Sequence, residues 1–142
     1  MTPIPIDTSD SLAKFVDDVD ALHDALLHEA VLMHPGYVDS NRQMWFETEP
    51  LNARLIFQSQ APDFSAVQLN LRGVKSLRVD TNLEFRLEVE YHSGELLFYP
   101  SGKSNADRCE IRARQAEYII LGPEFLGSEY RLTNDDSPTS DR

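Results

Sequence analysis

The sequence predicts an α+β domain: an N-terminal helix packed on a twisted antiparallel sheet of about six to eight strands, curled toward a barrel or a sandwich. Three observations carry that prediction. Apolar residues recur at three- and four-residue steps near the N-terminus. After Pro35 they recur at every second position. Several of these alternating segments also carry charges on the opposite face, which marks an antiparallel sheet with one wet side.

Residues 1–8 form a proline-containing lead-in. Leu12, Phe15, Val16, Val19 and Leu22 then make one apolar stripe of an amphipathic helix. Thr8 or Ser9 can cap it, and Asp10 suits the positive end of its dipole. The helix is expected over about residues 10 to 22. Beyond it two readings stay open. His23, Leu26, Leu27 and Ala30 continue the helical stripe toward Pro35-Gly36, and periodicity alone favours this reading. Alternatively, the chain turns at His23-Asp24 and residues 26–33 run on as a buried strand.

The strands follow. Ala53, Leu55 and Phe57 alternate with Arg54, Ile56 and Gln58, and Val67, Leu69 and Leu71 alternate with Gln68, Asn70 and Arg72. Leu77 and Val79 continue the pattern. From Leu83 to Tyr91 every odd residue is apolar and every even one charged, which predicts one half-buried strand. His92-Ser93-Gly94-Glu95 reads as a hairpin turn into residues 96–99, and residues 100–107 as a polar loop. Cys109, Ile111 and Ala113 alternate with Arg108, Arg112 and Arg114, which places Cys109 in the core as a small apolar filler. Residues 118–121 give a further, more apolar strand. Glu84, Glu88 and Glu90 are expected close to Arg108, Arg112 and Arg114 in one sheet, as cross-strand ion pairs. Met44, Trp45 and Phe46 form an apolar knot suited to the core, although an exposed Trp45 would make a binding anchor.

The chain of 142 residues fits a single domain over residues 1–132, followed by a disordered acidic tail at 133–142 that contains no apolar residue. With one cysteine there is no intrachain disulfide and no cysteine-based zinc site. The N-terminus lacks a secretory pattern and no apolar run is long enough for a bilayer, so a cytoplasmic location and no membrane are expected. A net charge of −11 argues against nucleic acid. The acidity is concentrated: Asp7, Asp10, Asp17, Asp18, Asp20, Asp24 and Glu29 stand against Lys14 alone between residues 7 and 29. Such a field suits a solvated surface or the docking of a basic protein.

Catalytic chemistry finds little support. His23-Asp24 pairs an imidazole with a carboxylate, but neighbours in sequence seldom point at each other. His23 and His28 miss the spacing that puts two zinc ligands on one helical face. No metal or cofactor is therefore expected. Nucleophile-elbow, phosphate-loop and dinucleotide motifs are absent. His23-Asp24 reads better as a structural junction, with Asp24 binding turn amides.

The run Leu22-His23-Asp24-Ala25-x-Leu27 resembles the opening of a group of small bacterial proteins of unknown function. In that group a His-Asp-Ser or His-Asp-Ala triplet leads into the first strand of an antiparallel sheet. Leu71-x-Gly73-Val74-x-x-Leu77 is similar to their apolar-x-Gly-Val segment between strands. The resemblance spans about residues 22 to 80 and extends to immunity-like proteins, which neutralise a toxin by binding it. It implies no catalytic residue.

The function expected from these readings is non-enzymatic protein binding through Asp17, Asp18, Asp20, Asp24, Glu29 and Trp45. The alternatives are a small metal-dependent or acid/base hydrolase using His23, Asp24, His28 and His92, and a homo-oligomeric structural protein pairing exposed strand edges.

Overall fold

Helix α1 (Ser9–Asp18) starts at a capping box. In the computed structural model, which describes residues 2–45, 51–62, 64–79, 82–83, 86–100 and 110–132, the Ser11 amide donates to Thr8 Oγ1 at 3.0 Å and the Thr8 amide to Ser11 Oγ at 2.9 Å. A serine thus fills the place that glutamate or glutamine usually takes in this motif.

The helix ends at Asp18, short of the expected Leu22. Asp20, Ala21 and Leu22 have φ of 49°, 53° and 59°, a left-handed turn built without glycine. Each such residue costs about 1–2 kcal/mol. Val19 and Leu22 are 0% and 1% exposed, and burying each returns about 1.5–3 kcal/mol, so packing offsets much of the strain. Asp24, at φ 58°, completes the turn. Residues 25–33 are then strand β2 (Ala25–Met33), which overturns the helical continuation that periodicity favoured. The physical reason is a β-bulge at His28: Leu27 lies opposite Phe57, but Glu29 lies opposite Ile56. The extra residue moves the following side chains to the other face and erases the period-two signal.

Strands β5 (Asn52–Ser59), β6 (Ala66–Arg78), β7 (Asn82–Leu83), β8 (Leu87–His92), β9 (Glu95–Pro100) and β10 (Glu110–Leu121) join β2 in one antiparallel sheet, ordered β7-β2-β5-β6-β10-β9-β8 among the described residues. A short β1 (Ile4–Pro5) pairs with the C-terminal half of β10, beyond the end of β9. Strands β3 (Tyr37–Val38) and β4 (Met44–Trp45) form a separate hairpin.

The sheet must curl. Strands β7 and β8 lie at its opposite ends, yet four peptide links join Leu83 to Leu87, a reach of at most about 15 Å. Seven strands laid flat would span roughly 29 Å at the usual spacing. The sheet therefore bends its ends toward each other, and among the described residues it does not close into a barrel. The same division corrects the expectation of one strand over residues 83–91.

Three further expectations change. Residues 118–121 are not a separate strand but the end of the continuous β10. Gly73-Val74 lies inside β6 rather than between strands, with Gly73 at φ 64°. Strands β8 and β10 share the sheet, as expected of their charges, but β9 separates them. Glu90 therefore accepts from the Tyr99 hydroxyl at 3.0 Å, while Glu95 of β9 pairs with Lys75. The Lys75 ammonium, and beyond it Arg112 and Arg114, hold the Glu95 carboxyl below its usual range against the opposing pull of desolvation. Glu84, Arg108, Cys109, Phe46 and residues 133–142 lie outside the described residues. The turn at Ser93-Gly94, with φ of 54° and 79°, is the expected two-residue hairpin.

The concave face holds the main core. Phe15 of α1 packs edge-on against Phe98 and Tyr118, with centroids 6.1 and 4.9 Å away. The buried Tyr118 hydroxyl donates to Asp18 Oδ2 at 2.9 Å, which ties the helix to β10. Burial, and then that bond, raise the Tyr118 pKa above the usual phenol value. On the opposite face residues 123–132 form a strap over a second apolar cluster of Ile56, Ala66, Leu121 and Leu132.

Candidate functional site

The His23-Asp24 junction departs from expectation in its geometry. Because Asp24 is left-handed, neighbouring side chains do meet: His23 Nδ1 lies 3.4 Å from Asp24 Oδ2, and both remain partly exposed. The junction is held through the main chain. The His23 amide donates to Asp20 O at 3.0 Å and the Gln60 amide to Asp24 O at 3.1 Å.

The acidic residues divide by employment. Asp18 accepts from Lys14 and Tyr118, and Asp20 pairs with Arg86. Glu29, 7% exposed, accepts the Arg131 amide at 2.8 and 3.0 Å and the Leu132 amide at 2.6 Å. It is the fastener of the strap. Beside it, His28 Nε2 donates to Glu129 O at 2.9 Å and the ring stacks on Tyr130, while Gln58 Nε2 donates to Phe125 O and Gly127 O, each at 2.9 Å. Asp17 and Asp24 are exposed. The expected acidic set is thus spread over the helix, the junction and the strap.

Trp45 stands in the hairpin, away from the core that its apolar neighbours suggested. Tyr37, Val38, Met44 and Trp45 are 59%, 55%, 61% and 51% exposed. The loop between the strands is organised by Asp39, whose carboxylate accepts the Asn41 and Gln43 amides and the Trp45 indole N–H, each at 2.9 Å. The indole bond first, then the amides, hold the Asp39 carboxyl below its usual range. The Tyr37 and Trp45 rings stack at 6.3 Å. Gly36 leaves room for this: a Cβ there would lie 2.8 Å from Trp45 O. At the end of β2, Leu32 is also 54% exposed.

A cleft of about 410 Å³ was missed by sequence reasoning. It is lined by Ile6 and Asp7 after β1, Asn70 and Arg72 of β6, Tyr91 of β8, and residues 114–117 of β10. The register sets Arg54, Asn70 and Glu117 in one row across three strands, and Asn52, Arg72 and Gln115 in the next. Alternation fails at one place on both β6 and β10. On β6 Gly73 and Val74 are both buried after the outward series Gln68, Asn70 and Arg72, and on β10 Arg114 and Gln115 are both exposed between buried Ala113 and Ala116, so Arg72, Arg114 and Gln115 lie exposed together. The Tyr91 hydroxyl closes one side by donating to Ile6 O at 2.8 Å. Desolvation, then the Asp7 charge, raise its pKa and keep it a phenol. The only sequence signal was Gly73 within an alternating run.

The histidines do not converge. His28 belongs to the strap contact, His23 to the junction and His92 to the β8–β9 turn. No group of three or more His, Cys, Asp or Glu side chains among the described residues is placed to hold a metal ion, and none of the described helices is long and apolar enough to cross a membrane. Comparison of the chain with family models, curated proteins and solved structures finds no match.

Proposed function

We propose that this chain is a cytoplasmic, non-enzymatic protein-binding domain, immunity-like in mode, that engages a basic partner through the β3–β4 hairpin. The observation that carries the reading is the hairpin itself: four apolar side chains more than half exposed, with the indole of Trp45 fixed by Asp39. Pre-orienting a large aromatic side chain lowers the entropy cost of using it as an anchor. The net charge of −11, with Asp17 and Asp24 open to solvent, favours a basic partner and speeds its approach.

Affinity capture with wild-type protein and Trp45→Ala, followed by cross-link mapping, tests this reading. A partner anchored on the indole should weaken by about 2–4 kcal/mol, or roughly 30- to 1,000-fold, and cross-link to residues 37–45 in the wild type. Equal retention by Trp45→Ala would remove the hairpin from the interface. A second reading, self-association, is favoured by β2, whose outer edge pairs with β7 only at Ala25 and Leu26 among the described residues. Sedimentation as a monomer at high concentration would dismiss it.

A further inference from the structure

The cleft between β1 and β6 carries a pair of opposite charges that have not joined. Among the described residues the Arg72 guanidinium has no hydrogen bond or ion pair. Glu117 engages Oε2 alone, with Asn70 Nδ2 at 3.0 Å. Arg72 sits opposite Gln115 and Glu117 opposite Asn70, so the two are diagonal neighbours about 7–8 Å apart along the sheet, within reach of long side chains. Asn70 helps to keep them separate. Its Oδ1 accepts from Gln68 Nε2 at 2.9 Å, which fixes the amide that holds Glu117 back.

The rest of the lining is charge-balanced as well, with Arg72 and Arg114 against Asp7 and Glu117. A simple anion would meet two carboxylates there, and a simple cation would meet two guanidinium groups. A molecule carrying both charges suits Arg72 and Glu117 together. Pro5, Ile6 and Ala116 add an apolar wall for a small aliphatic body. The volume, about 410 Å³, lies near the lower end of ligand-site sizes.

We propose that this cleft binds a small zwitterion of amino-acid to dipeptide size, its carboxylate held by the Arg72 fork and its ammonium by the open Oε1 of Glu117. The left-handed, buried Gly73 marks the break in alternation on β6, and on β10 Arg114 and Gln115 both turn outward, so that Arg72, the last of the outward series Gln68, Asn70 and Arg72, lies beside them. The site is independent of the hairpin, and either can fail alone.

The probe is alanyl-alanine, titrated into isotope-labelled protein while the Gly73 and Gln115 amide resonances are followed. Its N-acetylated form, its C-terminal amide and inorganic phosphate are run alongside. The expected result is a saturable shift with the free dipeptide and binding at least about tenfold weaker for each blocked form and for phosphate. Arg72→Gln should abolish the preference for a free carboxylate, and Glu117→Gln the preference for a free ammonium, with resonances elsewhere unmoved. No saturable shift with the free dipeptide overturns the proposal. So does equal binding of either blocked form or of phosphate to the wild type, a comparison that needs no variant.

Discussion

The strap and the hairpin are built with the same device to opposite ends. Each is fastened by one carboxylate that collects N–H groups. Glu29 accepts the Arg131 and Leu132 amides, and Asp39 accepts the Asn41 and Gln43 amides with the Trp45 indole. Glu29 is buried, reaches across more than a hundred residues of chain, and lays Leu132 and Phe125 over Ile56 and Leu121. Asp39 binds within its own loop and holds four apolar side chains out in solvent. One carboxylate covers apolar surface and the other presents it. The difference separates a feature that stabilises the fold from one available to a partner.

The contrast is broken most sharply at Glu29. Replacing it with alanine strands two backbone N–H groups that now bond to a buried charge, each worth about 1.5–3 kcal/mol, and loosens the cover over the second apolar cluster. Glu29→Ala is expected to cost about 3 kcal/mol or more in denaturant unfolding. A loss below about 1 kcal/mol would mean that the strap is not fastened there.

Trp45→Ala is the counterpart. An indole half exposed on a small hairpin supports little of the core, so unfolding free energy should change by less than about 1 kcal/mol. Partner capture, in contrast, should collapse. If the variant unfolds as readily as Glu29→Ala, the hairpin is structural and the comparison dissolves.

What the sequence made legible follows the same division. The concave core was readable because Leu55, Phe57, Leu69 and Leu71 recur at every second position, with Arg54, Gln58, Gln68, Asn70 and Arg72 as polar neighbours. The start of α1 was readable from Thr8 and the apolar stripe. Its end was not, because burial of Val19 and Leu22, rather than glycine or proline, sustains the left-handed turn. Ile56 reads as an outward residue of an alternating strand, and only a segment distant in sequence buries it. Trp45 and Met44 read as core for the opposite reason: composition cannot show that a two-stranded hairpin stands apart from the sheet. The cleft was hidden because its cause is a matched break in alternation on two strands far apart in the chain.

The smallest expected effect, and the most local, is on the acidity of the hairpin. Trp45 is the only tryptophan, so its emission reports the loop that Asp39 organises. Bonds from the indole and the two amides favour the carboxylate and lower its pKa in the folded chain. A depressed carboxyl contributes stability that is fully present above its unfolded value, about 3.9, and is lost as the pH falls through the lower folded value. Trp45 emission should therefore step at a pH below 3.9, while far-UV circular dichroism, recorded in parallel, separates this from global acid unfolding. Asp39→Asn should show no such step, because no charge remains to titrate. A wild-type step at or above the ordinary value, or an identical step in the variant, would show that Asp39 does not set the indole. The hairpin would then present Trp45 without having fixed it in advance.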